Sequence, residues 1–284
     1  MIRDSMGGSA YWDKWVSHSL SRTKKMVNAL AQPSMNPLYD PQYSFDAAFE
    51  FLRLILERYS RGDPIDQLVP HFSGIIDMWE LSNGLSKNIN ENSEVRNLRD
   101  WTFELGNLNH YNFCFWLVGL AIVLNISSDH WDRLLILIDA EGQDNLLDRV
   151  ISHRQPGRTI GSDLLHPKPY ARLLKAVNAA DDSQPSLLFD FVENWYPELA
   201  RKGKDELWWY IYGDPVKHPV ESGSYFGRWC VEAAVVAKVF KINDVPCLAH
   251  QYYPGDLLRA DGGSVHRMEV KKSGFIKNLF ARKK

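Results

Sequence analysis

The chain has 284 residues, 45% hydrophobic and 24% charged, with ten Trp. That composition excludes disorder over most of the length and suits one large globular domain or two smaller ones. The net charge of −2 is unevenly spread: residues 265–284 hold seven bases and one acid, which leaves the body before them at −8.

Three Cys (Cys114, Cys230, Cys247) form no CxxC pair. An odd count argues against a disulfide framework and for a reducing, cytoplasmic setting. The first fifteen residues carry Arg3, Asp4, Asp13 and Lys14, so they lack the apolar run of a signal peptide. The longest apolar run, Phe113 to Leu124, has 12 residues. A membrane span needs about 20, so this run reads as a buried core helix.

In chain order, Phe45, Ala48, Phe49, Leu52, Ile55, Leu56 and Tyr59 recur at the three-and-four spacing of one helix face. Ser44 is the expected N-cap and Gly62 the expected C-terminal glycine. Asp63-Pro64 should restart a helix that carries Leu68, Phe72, Ile75, Ile76 and Trp79 and stops at Asn83-Gly84. Ser86 to Asn92 reads as a loop and Val95 to Leu105 as a helix. After the Phe113–Leu124 helix, Ser127-Ser128-Asp129 caps another through Trp131, Leu134, Leu135 and Ile138. Residues 152–169 hold three Pro and two Gly and form the best linker candidate. Helices follow near 170–179 and 185–196, then a Gly/Pro-rich loop at 213–223, then a helix from Tyr225 to Phe240. No run of alternating β-branched strands stands out.

The expected fold class is all-α, a bundle-like protein of two packed helical halves. The expected divisions are 1–150, 165–262 and a basic tail at 263–284. Two apolar segments, Phe115 to Ile126 and Trp229 to Ile242, echo each other, each ending at Ile before a polar capping cluster. Two copies are too few for a repeat architecture, and chance similarity between core helices accounts for them.

Motifs for catalysis are sparse. There is no Gly-rich phosphate loop, nucleophile elbow or HExxH, and no two of the nine His sit four apart on a helix. No metal or cofactor is expected. The one enzymatic lead is Asp256 followed by Glu269-Val270-Lys271, the residue types of a restriction-type nuclease that holds a divalent cation. That chemistry needs adjacent strands, and Glu-x-Lys triplets are common in charged tails. Within the tail, Phe275, Ile276, Leu279 and Phe280 interleave with bases, which suits a short amphipathic helix or a frayed terminus. Glu232 shares a helix face with Trp229, Ala233, Val236 and Phe240, so a carboxylate is expected inside the core, paired or hydrogen-bonded.

From Ala176 to Ala200 the chain carries Asp181, Asp182, Asp190, Glu193 and Glu198 and no base, with Asp205 and Glu206 following. Trp195, Tyr196 and Trp208 lie among them. Acids beside exposed aromatics are the composition of a surface that docks a basic protein, so these ten residues form the candidate binding face.

The segment Tyr225 to Leu258 resembles the C-terminal half of the PoNi immunity proteins. The residues that carry this are Trp229, Glu232-Ala233-Ala234, Ala237-Lys238, Ile242 to Asp244, Tyr252-Tyr253-Pro254 and Asp256. Arg3-Asp4, Tyr59-Ser60-Arg61-Gly62 and Pro64-Ile65 are similar to that family's N-terminal signature. The resemblance implies an all-helical cytosolic protein without enzymatic activity. It also implies an antitoxin that binds a PoNe-type DNase effector of bacterial type VI secretion and protects the producer. It implies no direct nucleic-acid substrate, assigns no contact residues and leaves a homodimer open.

Overall fold

The computed structural model describes residues 2–92 and 103–259. Among the described residues there are nine α-helices and no strand: α1 Gly8–Leu30, α2 Asp40–Arg61, α3 Val69–Asn92, α4 Leu108–Val123, α5 Ser128–Ile138, α6 Asn145–Ile151, α7 Pro167–Asn178, α8 Gln184–Leu199 and α9 Val231–Val239. The expected basic tail, with Glu269 and Lys271, and most of the expected Val95–Leu105 helix lie outside the described residues; Phe103 to Leu105 are not helical.

Helix α2 packs on both α1 and α3, α7 pairs with α8, and α4 packs on α9. Helix α4 is apolar on every side, and all of its residues but Asn109 and His110 are buried. A helix without a polar face must sit in the centre, and the others arrange their apolar stripes around it. One cluster of buried side chains runs from Ala48 to Leu257 and joins both halves of the sequence.

Gly119 sets the α4–α9 spacing. A Cβ there would come within 2.8 Å of Val231 Cγ1, so only glycine permits this approach. The echo between the two helices extends to their ends. Asn125 and Lys241 both take left-handed φ values, 50° and 54°. The next residues, Ile126 and Ile242, donate back to Ala121 O and Ala237 O and bury their side chains. Both are Schellman-type ends with the expected apolar contact. Lys238 Nζ also donates to Ile122 O and Val123 O, so a cation of α9 satisfies the carbonyl end of α4.

Several boundaries differ from those expected. Helix α2 starts at Asp40, with Pro41 in its first turn, so Ser44 is a buried interior residue and not a cap. Gly62 ends the helix at φ 100° as expected. Pro64 stands at ψ 139°, a 3-10 turn follows at Ile65–Gln67, and α3 begins only at Val69. Asn83-Gly84 does not stop α3, which continues through the expected loop to Asn92. An isolated glycine weakens a helix by only about 1 kcal/mol, and Ser82 and Ser86 are buried on either side of it. Ser127 caps α5 by accepting from His130 N. Helix α9 begins at Val231, six residues later than expected: residues 224–230 are not helical, and Gly227 (φ 101°) lies so close to Ser60 Oγ that a side chain there would clash.

The 152–166 stretch is not helical, as its Pro and Gly content suggests, but it is pinned to the body. Asp144 caps α6 and accepts from Tyr111 OH and Leu165 N. Asp148 accepts from Gly161 N and pairs with the buried Arg158 at 2.6 Å.

Filling the α4–α9 contact is expected to destabilise the fold. Gly119→Val should lower unfolding free energy by about 1–3 kcal/mol through overpacking, read from urea denaturation with little change in helical circular dichroism.

Candidate functional site

Part of the family-like signature, from segments far apart in sequence, meets at one place. Arg3 Nε pairs with Asp256 Oδ2 at 2.6 Å across 253 positions. Its Nη1 donates to Tyr59 O and Asp63 O, its backbone N donates to Ser60 O, and its guanidinium lies 4.7 Å from the Tyr59 ring centroid. Ser60 Oγ accepts from Trp229 Nε1 at 2.8 Å. Tyr225 OH donates to Asp4, and Trp12 Nε1 donates to Asp4 O. This clasp ties the N-terminus, the end of α2 and the C-terminal region together.

Asp256 is therefore a structural ligand of an arginine. It is 4% exposed, and its partners in the nuclease alternative, Glu269 and Lys271, fall outside the described residues. No group of three His, Cys, Asp or Glu able to hold a metal ion occurs among the described residues. The three cysteines are buried and unbridged, and burial pushes their thiols up, away from reactive thiolates.

Glu232 occupies the interior as the sequence suggests and is 0% exposed. Its Oε1 accepts from Asn112 Nδ2 (2.9 Å), Tyr170 OH (3.0 Å) and Trp195 Nε1 (3.2 Å), and its Oε2 from Trp116 Nε1 (3.3 Å). These donors come from α4, α7 and α8, and Asn112 in turn accepts from Trp209 Nε1. No cation pairs with the carboxylate among the described residues. Burial pushes its acid up to about 7 against the pull of the donors.

The acidic and aromatic stretch divides into two sets. Trp195 is a correction: it is 0% exposed and bonded to Glu232, so it is not a surface anchor. Leu188, Phe191, Trp195 and Leu199 form the inward stripe of α8, a three-and-four spacing that was readable in the sequence. Asp190 and Glu198 point outward, but Arg172 of α7 bridges them at 2.7 and 2.9 Å. A segment without bases of its own thus takes one from its neighbour. Asp181, Asp182, Glu193, Asp205 and Glu206 are exposed and make no ion pair among the described residues.

Tyr196 is half-buried, stacks on Tyr210 at 4.4 Å and donates to Tyr210 O, with the Arg228 guanidinium 4.5 Å from its ring centroid. Trp208 is half-buried against Phe49 and Phe226. With Phe45, Phe49, Trp79, Phe103 and Phe113 it lines an apolar cavity of about 180 Å³.

Residues 3–136 match the model of the PoNe immunity protein (PoNi) N-terminal domain, and residues 142–257 match that of the C-terminal domain. The chain belongs to the PoNe immunity protein family. Among solved structures, protein PA2201 from Pseudomonas aeruginosa shares the fold with a TM-score of 0.66 at 16% identity, over 94% of this chain and 92% of that one. No curated protein matches. The family supports an immunity-protein role, and the resemblance carried by Arg3, Ser60, Trp229 and Asp256 now has a physical content, because those residues build the clasp.

Two outcomes follow for Glu232. Glu232→Ala leaves four donors facing a void and should cost about 2–4 kcal/mol in denaturant unfolding. A folded-state value near 7, above the unfolded carboxyl, contributes stability that is full below about pH 4.3 and is lost as pH rises through 7. Glu57 is also pushed up to about 7 by burial and acts in the same direction. Urea midpoints should therefore fall between pH 5 and pH 8, and Glu232→Gln should flatten that dependence without abolishing it.

Proposed function

We propose that this chain neutralises a PoNe-type DNase of a bacterial type VI secretion system by binding it, and that it catalyses no reaction of its own. Membership of the family across both of its domains is the observation that carries the reading. The charge distribution supports it. A DNase presents a basic surface to its substrate phosphates. An acidic partner is steered toward that surface and competes with nucleic acid for it.

The docking face in this reading comprises Asp181 and Asp182 at the α7–α8 turn, Glu193 on α8, and Asp205 and Glu206 beyond it, with Tyr196 and Trp208 for aromatic contact. Asp190 and Glu198, already bridged by Arg172, contribute less field. Among the described residues no helix is long and apolar enough to cross a membrane.

Binding kinetics of the full chain with a catalytically inactivated PoNe-type DNase test the reading. Changing Asp181, Asp182 and Glu193 to Lys should slow association about tenfold and weaken its salt dependence, while dissociation changes little. The purified chain should block DNA cleavage by the active enzyme and cleave no DNA alone with Mg²⁺. A chain that neither binds nor inhibits the DNase would overturn the assignment.

A further inference from the structure

A second acidic surface lies on the outer side of α5, outside the stretch considered above. Trp131, Leu134, Leu137 and Ile138 turn the apolar stripe of this helix inward. Ile136 lies on the opposite side, 76% exposed. Asp132, one turn before it, and Asp139 and Glu141, just after it, are exposed and make no ion pair among the described residues. The neighbouring base, Arg133, is turned away onto Asp77 and Glu80 of α3, and Arg154 lies over Trp131 and donates to Ile126 O. Neither base is bonded to the three acids.

These residues border an open depression of about 370 Å³, completed by Leu135, Ala140, Gln155 and Arg158. Arg158 is 8% exposed and is held within the body: its Nε donates to Asp148 and its Nη1 to Gln155. By contrast with Ile136, no large hydrophobic side chain between residues 181 and 206 is exposed.

We propose that this α5 face anchors the basic surface of the DNase toxin, with Ile136 seated between its Lys or Arg side chains. The inference rests on the toxin-binding reading and adds to it an exposed aliphatic anchor beside the half-buried Tyr196 and Trp208 of the α8 face. The chemistry selects the partner. An anionic membrane or a nucleic acid is repelled by three exposed acids that no ion pair covers among the described residues, although Glu141 accepts from Thr159 N, and a second copy would bring like charges face to face. A cationic protein surface supplies both the opposite charge and apolar Lys or Arg stems to cover an isoleucine.

The test uses the full chain and an inactivated PoNe-type DNase. Ile136→Ala should keep the wild-type melting temperature and speed dissociation about tenfold or more, as loss of an interface hot spot does. Asp132→Lys should slow association. Val216→Ala, a change at another exposed apolar residue (88%), should leave both rates alone. Wild-type rates for Ile136→Ala and Ile136→Asp, with the parent chain binding tightly, would overturn the α5 anchor and leave the toxin reading standing. Failure of the parent chain to bind would overturn both. A concentration-dependent dimer of the parent, abolished by Ile136→Ala in sedimentation, would overturn the anchor by assigning the face to self-association.

Discussion

The interior is organised around one carboxylate that pairs with no cation among the described residues. Burying Glu232 is costly unless its oxygens are filled, and they are filled by side chains from α4, α7 and α8 at once. Those side chains have no other means of satisfying the carboxylate than this relative placement of the helices. The same constraint explains why Trp116, Tyr170, Trp195 and Trp209 point their polar atoms inward. Large aromatics supply the apolar contact while their N–H and O–H groups serve the carboxylate chain through Glu232 and Asn112.

The second organising element is the clasp between the N-terminus, the end of α2 and the C-terminal region. Arg3, Ser60 and Asp256 come from three distant segments that these hydrogen bonds and the Arg3–Asp256 ion pair join. Asp144 and Asp148 do the same for the 152–166 connection, which holds to the body by side-chain acceptors because it has no helix of its own. Together these three networks tie distant segments of the chain to one another through buried polar contacts.

Charge follows a different logic from packing. Acids that meet an arginine across a helix pair, such as Asp190 and Glu198 with Arg172, lose most of their field at the surface. Acids left over at turns and on outer helix faces keep theirs. The body therefore presents a negative surface in patches, and the patch on α5 also exposes a large aliphatic side chain, Ile136. Such a pairing of roles, steering charge and apolar contact, is what tight protein recognition uses.

Local periodicity determined much of this fold. The three-and-four spacing of α2, the unbroken apolar run of α4, the Ser127 cap and Gly62 at the end of α2 are all set by short-range sterics and hydrogen bonding, and they were legible in the residues. So was a buried Glu232, because its helix offers no polar face. The sequence also carried the family resemblance, through residues whose shared location it did not reveal. Tertiary structure decided the rest. Gly84 does not end α3, because packing outweighs the roughly 1 kcal/mol that a glycine costs a helix. Trp195 belongs to the core, because a base-free acidic helix still needs one apolar stripe. Arg172 cancels acids that looked free, because ion pairs form between helices adjacent in space. Arg3 meets Asp256, and Ile136 is left uncovered, for one physical reason: what a side chain faces depends on which elements pack together, and local sequence does not contain that.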